Sequence, residues 1–393
     1  MEISKTPPAV TRFLASLRPA DKYLVWVILG LAAFGIVAVY SAVGFLAATK
    51  SGGDTERFLL RHVTRVVVAL GVMGVVSLID YRKLARLSKL ALVFSIGLLI
   101  AVQVIGTVQG GARRWLDVGA FGFQPSDLAK VALVLYVAVM LARKQEYIKD
   151  FSRSFLPILV WIMATVVLIG IEDLSSAVLL LVATLTMCFV ARISTLHITG
   201  TALLGLVLAG GLLLASPHRA ARVEAYLGLK IFPNTTSEQV FDAQDEGYQA
   251  QQARIAFAMG GLTGVGPGKS VQRDFLPAPY NDFIFAIIAE EYGIIGALAL
   301  LALFVVFLAR ALLRVARHAV DPLGLFVAVG MATMLALYGF IHAGVAAGLL
   351  PVTGLPMPFV SYGGTSMLAA GLMVGILLNI SRQIDDKAIR QDA

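Results

Sequence analysis

The chain is 393 residues long, 58% hydrophobic and only 14% charged, with a mean hydropathy of +0.84. Soluble domains carry roughly 25% charged residues, so this composition excludes a soluble globular enzyme and points to an all-α, polytopic membrane protein. The formal net charge of +8 reads as cytoplasmic anchoring and attraction to membrane lipid, not as nucleic-acid binding.

Residues 1–22 form a polar, basic tail carrying Lys5, Arg12, Arg18 and Lys22. No cleavage site follows the first apolar run, so a removable signal peptide is not expected. Hydropathy predicts ten transmembrane helices, about 23–48, 60–79, 90–105, 127–142, 155–171, 174–191, 196–215, 282–309, 322–349 and 365–380. They make one membrane domain, 23–380, closed by a second polar tail, 381–393. Arg61 and Arg65 lie in the first turns of the second span, and residues 80–89 read as a basic turn. Residues 106–126 read as a polar loop. A large loop, 216–281, separates spans seven and eight, and loops of this length are usually functional. Its stretch 245–259 is expected to lie on the membrane surface as an amphipathic helix. Cys188, the single cysteine, falls inside a span and supports neither a disulfide nor a zinc site.

Lys and Arg placement sets the orientation. With both termini in the cytoplasm, the basic turns after spans two, four and eight also lie inside. The 106–126 loop, Glu172-Asp173, the large extracytoplasmic loop, Asp282 and the 350–364 loop then share the outer side. That coincidence argues for an active site on the outer face.

Asp282 precedes a long apolar helix, and Glu290 and Glu291 lie within it. An acid at that depth is costly, and Glu290 is a candidate substrate contact. Asp282 is either an N-cap that satisfies orphan amides or a general base at the membrane surface. Arg113 and Arg114 beside Trp115 are either interfacial anchors or a phosphate fork. Ser126 and Asp127 suit the start of the fourth helix. Lys130 then stands one turn inside, either snorkelling or facing Asp127, Asp173 or a lipid diphosphate. The glycine-rich stretch 260–270 lacks the spacing and strand of a nucleotide loop. It reads as a hinge or as a cradle whose amides bind phosphate beside Lys269 and Arg273. Ser361, Gly363 and Gly364 lead into the tenth helix, whose N-terminus is either merely capped by Thr365 or Ser366 or an anion site. His342 is expected to be a packed, hydrogen-bonded helix residue. No cofactor is evident and no metal-ligand cage is expected, although a divalent cation, Mg or Mn, is compatible with a diphosphate substrate. A lipid transporter fits ten spans with intramembrane charges equally well, and a structural scaffold is a third reading. The bunching of charges on one side, instead of along a path through the midplane, favours an enzyme.

The stretches GARRWLDVGAFGFQPSDLAK (111–130), GLTGVGPGKSVQRDFLPAPYNDFIFAIIAEEYG (261–293) and GLLPVTGLPMPFVSYGGTS (348–366) resemble the SEDS family of shape, elongation, division and sporulation proteins. The resemblance covers nearly the whole chain and is nearest to the cell-division branch, with the elongation branch a close relative. It implies a glycosyltransferase of the bacterial cytoplasmic membrane that polymerises lipid II into a growing glycan strand. It further implies a class B penicillin-binding transpeptidase and divisome regulatory subunits as partners. The family's essential aspartate falls on Asp282, its fourth-span lysine on Lys130 and its loop arginines on Arg113 and Arg114. Departures from the family pattern are Tyr280-Asn281 for a common His-Thr, Asp127 for Glu, Glu172-Asp173-Leu174-Ser175 for Pro-Asp-Leu-Gly, and His342 for Asn. Direct displacement on this scheme inverts the anomeric centre. Arg113, Arg114, Lys130, Lys269 and Arg273 are its candidates for the leaving diphosphate. A free aspartate is a weak base, with a pKa of about 3.9. Desolvation against lipid and Tyr280 or Phe283 is therefore expected to raise that of Asp282.

Overall fold

Long apolar runs become helices because a helix satisfies its own backbone where lipid offers no partner. The computed structural model describes residues 19–50, 55–109, 112–118, 121–227, 229, 231–232, 246–276 and 278–384; the predicted tails lie almost wholly outside them. Among the described residues, nine helices are long and apolar enough to cross a bilayer, and a shorter apolar helix completes the expected ten. In chain order the crossing helices begin with α1 (Lys22–Lys50), α2 (Thr55–Ser77), α3 (Tyr81–Ile105), α4 (Pro125–Arg143) and α5 (Leu156–Glu172). The short one, α6 (Leu174–Val190), and α7 (Thr195–Leu214) follow. The long loop contributes α8 (Pro217–Leu227) and α9 (Glu246–Gly260), and the last crossings are α10 (Ile284–Arg310), α11 (Pro322–Ala346) and α12 (Thr365–Arg382).

Several boundaries differ from the hydropathy reading for identifiable reasons. α3 starts at Tyr81, because the Asp80 carboxylate accepts from the Arg82 amide at 3.0 Å and caps the helix there. The basic stretch 81–89 is therefore the opening of a helix and not a turn. α4 starts at Pro125, a residue suited to a first turn where no amide is needed. Ser126 does not cap it, and its hydroxyl is buried without a partner among the described residues. The 106–126 loop folds into a small antiparallel sheet, β1 (Thr107–Gln109), β2 (Ala112–Val118) and β3 (Phe121–Phe123). In it Val108 faces Arg113 and Leu116 faces Phe123. This sheet is the one departure from the all-α expectation among the described residues.

α4, α11 and α12 form the centre of the bundle, whereas α7 has only 6% of its apolar window buried and stands at the periphery. α12 meets α2 through Gly371 and Gly375, where an added methyl group would stand 2.4 Å from Ala69 O and 2.8 Å from Met73 O. Small residues four apart permit this close backbone approach in lipid. At the end of the bundle away from Asp282, Arg82 binds Asp321 at 2.7 Å. The Tyr81 hydroxyl donates to the same carboxylate at 2.8 Å, and the Tyr81 amide donates to Asn379 at 2.9 Å. α9, expected on the membrane surface, packs one face against the protein. It buries Ala253 and Ala256, and at Gly260 an added methyl would meet Ala289 O of α10 at 2.0 Å.

Candidate active site

The site is built on a break in α10. Gly293 has φ 68 and ψ −171, a conformation essentially confined to glycine, and it interrupts the helical hydrogen bonds. Residues 261–266 are spliced into the gap. Val265 N and Gly266 N donate to Glu290 O and Glu291 O at 2.9 and 3.0 Å. Ile294 N and Ile295 N donate to Gly261 O and Leu262 O at 2.9 and 3.2 Å. Gly264, at φ +82, passes so close that an added methyl would stand 2.1 Å from Glu291 O.

The loop does bind anions through its amides, but they are the protein's own. The Glu290 carboxylate accepts from Val271 N at 2.9 Å and Gln272 N at 3.2 Å, and also from the Ser270 hydroxyl. Glu291 accepts from the Ser41 hydroxyl of α1 and from Ser270 N at 3.4 Å. Glu290 is 0% exposed, so the expected substrate contact is replaced by a structural one. The expected phosphate cradle over 260–270 is likewise filled from within. Arg273 donates to Ser41 O at 3.0 Å and pairs with Asp274 at 3.4 Å, while Lys269 is exposed. Neither is among the charges that act on Asp282.

Asp282 sits in the turn before α10, but the cap position is Phe283 and Asp282 makes no capping bond. Among the described residues no hydrogen bond reaches its carboxylate, which leaves both oxygens open to an incoming donor. Burial raises its pKa, as the sequence led us to expect, while Arg114 and Arg222 pull it down and Asp173 pushes it up. Burial, the nearby Tyr362 and the Asp282 charge raise that of Tyr280.

Asp173 caps α6, accepting from Ser176 N at 3.0 Å, and pairs with Arg114 at 3.6 Å. Glu172 accepts from the Arg113 amide at 2.9 Å and thereby pins β2; the Arg113 side chain is exposed. On α8, Arg219 donates to Ile171 O, and burial lowers its pKa. Arg222 was missed from sequence, because basic residues of the long loop carried no weight in the topology argument. Its spacing from Arg219, one helical turn, was the available signal.

Lys130 is buried against Asp127 at 2.9 Å and the Tyr338 hydroxyl at 2.5 Å. Of its expected partners the structure selects Asp127, which also accepts from Thr365 Oγ1 at 2.8 Å. Thr365 therefore does not cap α12; Gly364 occupies that position without a side-chain bond. Lys130, Asp127, Tyr338, Ser361 and Gly363 line one cavity, closed on its other sides by Met334, Phe359 and Met373. Ser361 donates to Asn281 O at 3.0 Å and accepts from Met357 N at 2.9 Å, so the 350–364 loop joins the cavity wall to the residue beside Asp282. The Lys130 cavity and the turn that carries Asp282 are thus joined through Ser361. His342 behaves as expected at one nitrogen, bonded to Leu355 O at 2.8 Å, while its other nitrogen is buried and unpaired.

The family of cell cycle proteins that takes in FtsW, RodA and SpoVE matches residues 22–386. The chain belongs to this family. It is 37% identical over 366 residues to stage V sporulation protein E of Bacillus subtilis, covering 92% of this chain and 97% of that one. It is 36% identical over 368 residues to a probable peptidoglycan glycosyltransferase FtsW of Geobacter sulfurreducens, covering 93% and 95%. Among solved structures, a chain from a peptidoglycan synthase complex superposes with a TM-score of 0.73 at 26% identity, over 92% of this chain and 98% of that one. A variant of the rod shape determining protein RodA of Thermus thermophilus does so with a TM-score of 0.67 at 25% identity, over 93% and 98%. Membership makes this a multi-pass membrane protein, in agreement with its apolar helices.

Proposed function

We propose that the chain is an inverting peptidoglycan glycosyltransferase that polymerises lipid II. The reading is supported by the names of its relatives and rests on one structural observation. Asp282 is a carboxylate with a raised pKa and, among the described residues, no hydrogen bond to its oxygens, set among Arg114, Arg222 and Asp173. Its acceptor is the 4-hydroxyl of a GlcNAc. Asp282 takes the hydroxyl proton as that oxygen attacks the anomeric carbon of the donor; the new glycosidic bond forms as the bond to diphosphate breaks. General-base help of this kind contributes about 10²–10⁴-fold. Arg114 and Arg222 on the outer side, and Lys130 in the adjoining cavity, stabilise charge developing on undecaprenyl diphosphate. Diphosphate leaves without a second carboxylate acting as acid. Among the described residues no group of three or more His, Cys, Asp or Glu is placed to hold a metal. No step is therefore assigned to Mg or Mn, which would arrive with the diphosphate.

We place both termini in the cytoplasm and the site on the outer face, on the basis of Lys and Arg placement. Septal synthesis with a class B penicillin-binding transpeptidase and divisome regulators is the context that follows. A relative's assembly in a synthase complex that coordinates polymerization and crosslinking supports the transpeptidase partner. Purified protein given labelled lipid II is expected to yield glycan strands, and Asp282→Asn to yield none while melting like the parent. Polymer from the Asn variant would end the base assignment. Movement of lipid between leaflets without polymer would favour a transporter.

A further inference from the structure

Arg57, Arg61 and Arg65 recur every fourth residue on α2, one above another on a face that drifts by about 40° per step. The same helix turns a bare apolar stripe outward: Leu60, Val67 and Val75 are each at least 60% exposed. In a membrane protein such a stripe meets lipid. Arg57 and Arg61 lie exposed within it, and Arg65 is half-buried at its border. Arg65 stands roughly 15 Å along the helix from Thr55. A cation at membrane depth is expensive unless it meets a partner. Among the described residues neither Arg61 nor Arg65 has a carboxylate partner.

Arg65 rests instead on Tyr362, its guanidinium carbon 4.3 Å from the ring centre. His62 stacks on the same ring at 5.7 Å and 23°. It is 0% exposed, and neither of its ring nitrogens has a hydrogen-bond partner among the described residues. Tyr362 meets Tyr280 edge-on at 5.3 Å, and its amide donates to Tyr280 O at 3.0 Å. Two residues later comes Asp282. A line of cations therefore runs from the lipid face of α2, past two tyrosines, towards the base.

Joining two lipid-linked saccharides brings two diphosphates to one site. One leaves from the donor. The other stays bonded to the acceptor, a disaccharide away from the reacting hydroxyl. Arg114, Arg222 and Lys130 are assigned above to the one that leaves. We propose that Arg61 and Arg65 hold the diphosphate of the acceptor lipid, with its polyprenyl chain lying along the outward stripe of α2. This rests on the glycosyltransferase reading above. No bond is made or broken at α2; the arginines supply paired donors to phosphate oxygens, for which their geometry is suited.

The test counts bound lipids on the full chain carrying Asp282→Asn, which blocks turnover, by native mass spectrometry in detergent. The probes are undecaprenyl diphosphate, undecaprenol and phosphatidylglycerol. Two undecaprenyl diphosphates are expected per chain, and undecaprenol is expected not to replace them. Adding Arg61→Gln and Arg65→Gln is expected to leave one, with the lost site weakened by at least about tenfold, as for charge-assisted hydrogen bonds. The site that remains shows that the variant is folded. Arg61→Lys with Arg65→Lys is expected to bind better than the Gln pair. Two lipids still bound by the Gln variant, or displacement of the second by equimolar phosphatidylglycerol, overturns the proposal and leaves general lipid anchoring. If the unsubstituted chain makes polymer yet binds one lipid, this inference fails alone. Absence of both polymer and binding sinks the glycosyltransferase reading itself.

Discussion

Gly293→Ala tests the splice that carries the site. Alanine at φ 68, ψ −171 costs about 1–3 kcal/mol in backbone strain alone. Its methyl group would stand 2.3 Å from Leu262 O and 2.5 Å from Gly264 N, both backbone atoms that a rotamer change cannot move aside. The chain therefore has to surrender the bonds from Ile294 N to Gly261 O and from Ile295 N to Leu262 O, each contributing about 0.5–1.5 kcal/mol. The sum, about 2–6 kcal/mol, is a large share of the 5–15 kcal/mol that holds a typical domain folded. Thermal unfolding in detergent measures the loss. Hydrogen exchange at the amides of Val265 and Gly266 shows whether the loop has come out of the gap. Gly97→Ala is the control: it lies within α3 with nothing inside 4 Å of an added methyl, and should stabilise by roughly 0.5–1 kcal/mol. If Gly293→Ala melts with the parent and both amides stay protected, the splice argument is wrong.

Arg222→Gln removes a charge that lowers the Asp282 pKa. That pKa then rises, a larger fraction of the base is protonated at neutral pH, and the acid limb of kcat/KM moves to higher pH. A limb that stays put or moves down refutes the electrostatic assignment. Lys130→Met leaves Asp127 buried without its cation, costing about 3–5 kcal/mol in stability and about 10²–10³-fold in rate. Combining it with Asp127→Leu is expected to recover melting temperature but not polymerisation; recovered polymer would make Lys130 purely structural.

Most of the bundle was legible because hydropathy alone forces helices across lipid, and the motif residues Asp282, Lys130, Arg113 and Arg114 are written plainly. The misses share a cause: a local signal with two physical meanings. Glycines at 260–268 suit a phosphate cradle and a tight passage through a helix gap equally well, and only the gap at Gly293 decides between them. Glu290 and Glu291 look like buried anions in need of a ligand, but amides some twenty residues earlier supply it. Basic residues at 82–89 were read as interrupting the helix, whereas Asp80 starts it before them. The role of Arg222 depends on where α8 docks, which no local pattern encodes.

The long loop and the helix behind Asp282 share four main-chain hydrogen bonds at the break, which tie the position of one to the other. A protein that grips the segment between α7 and α10 would therefore have a mechanical lever on the carboxylate without entering the cavity beside it. Setting the pace of strand growth would then require only a handle on that loop, not an occupant of the cavity.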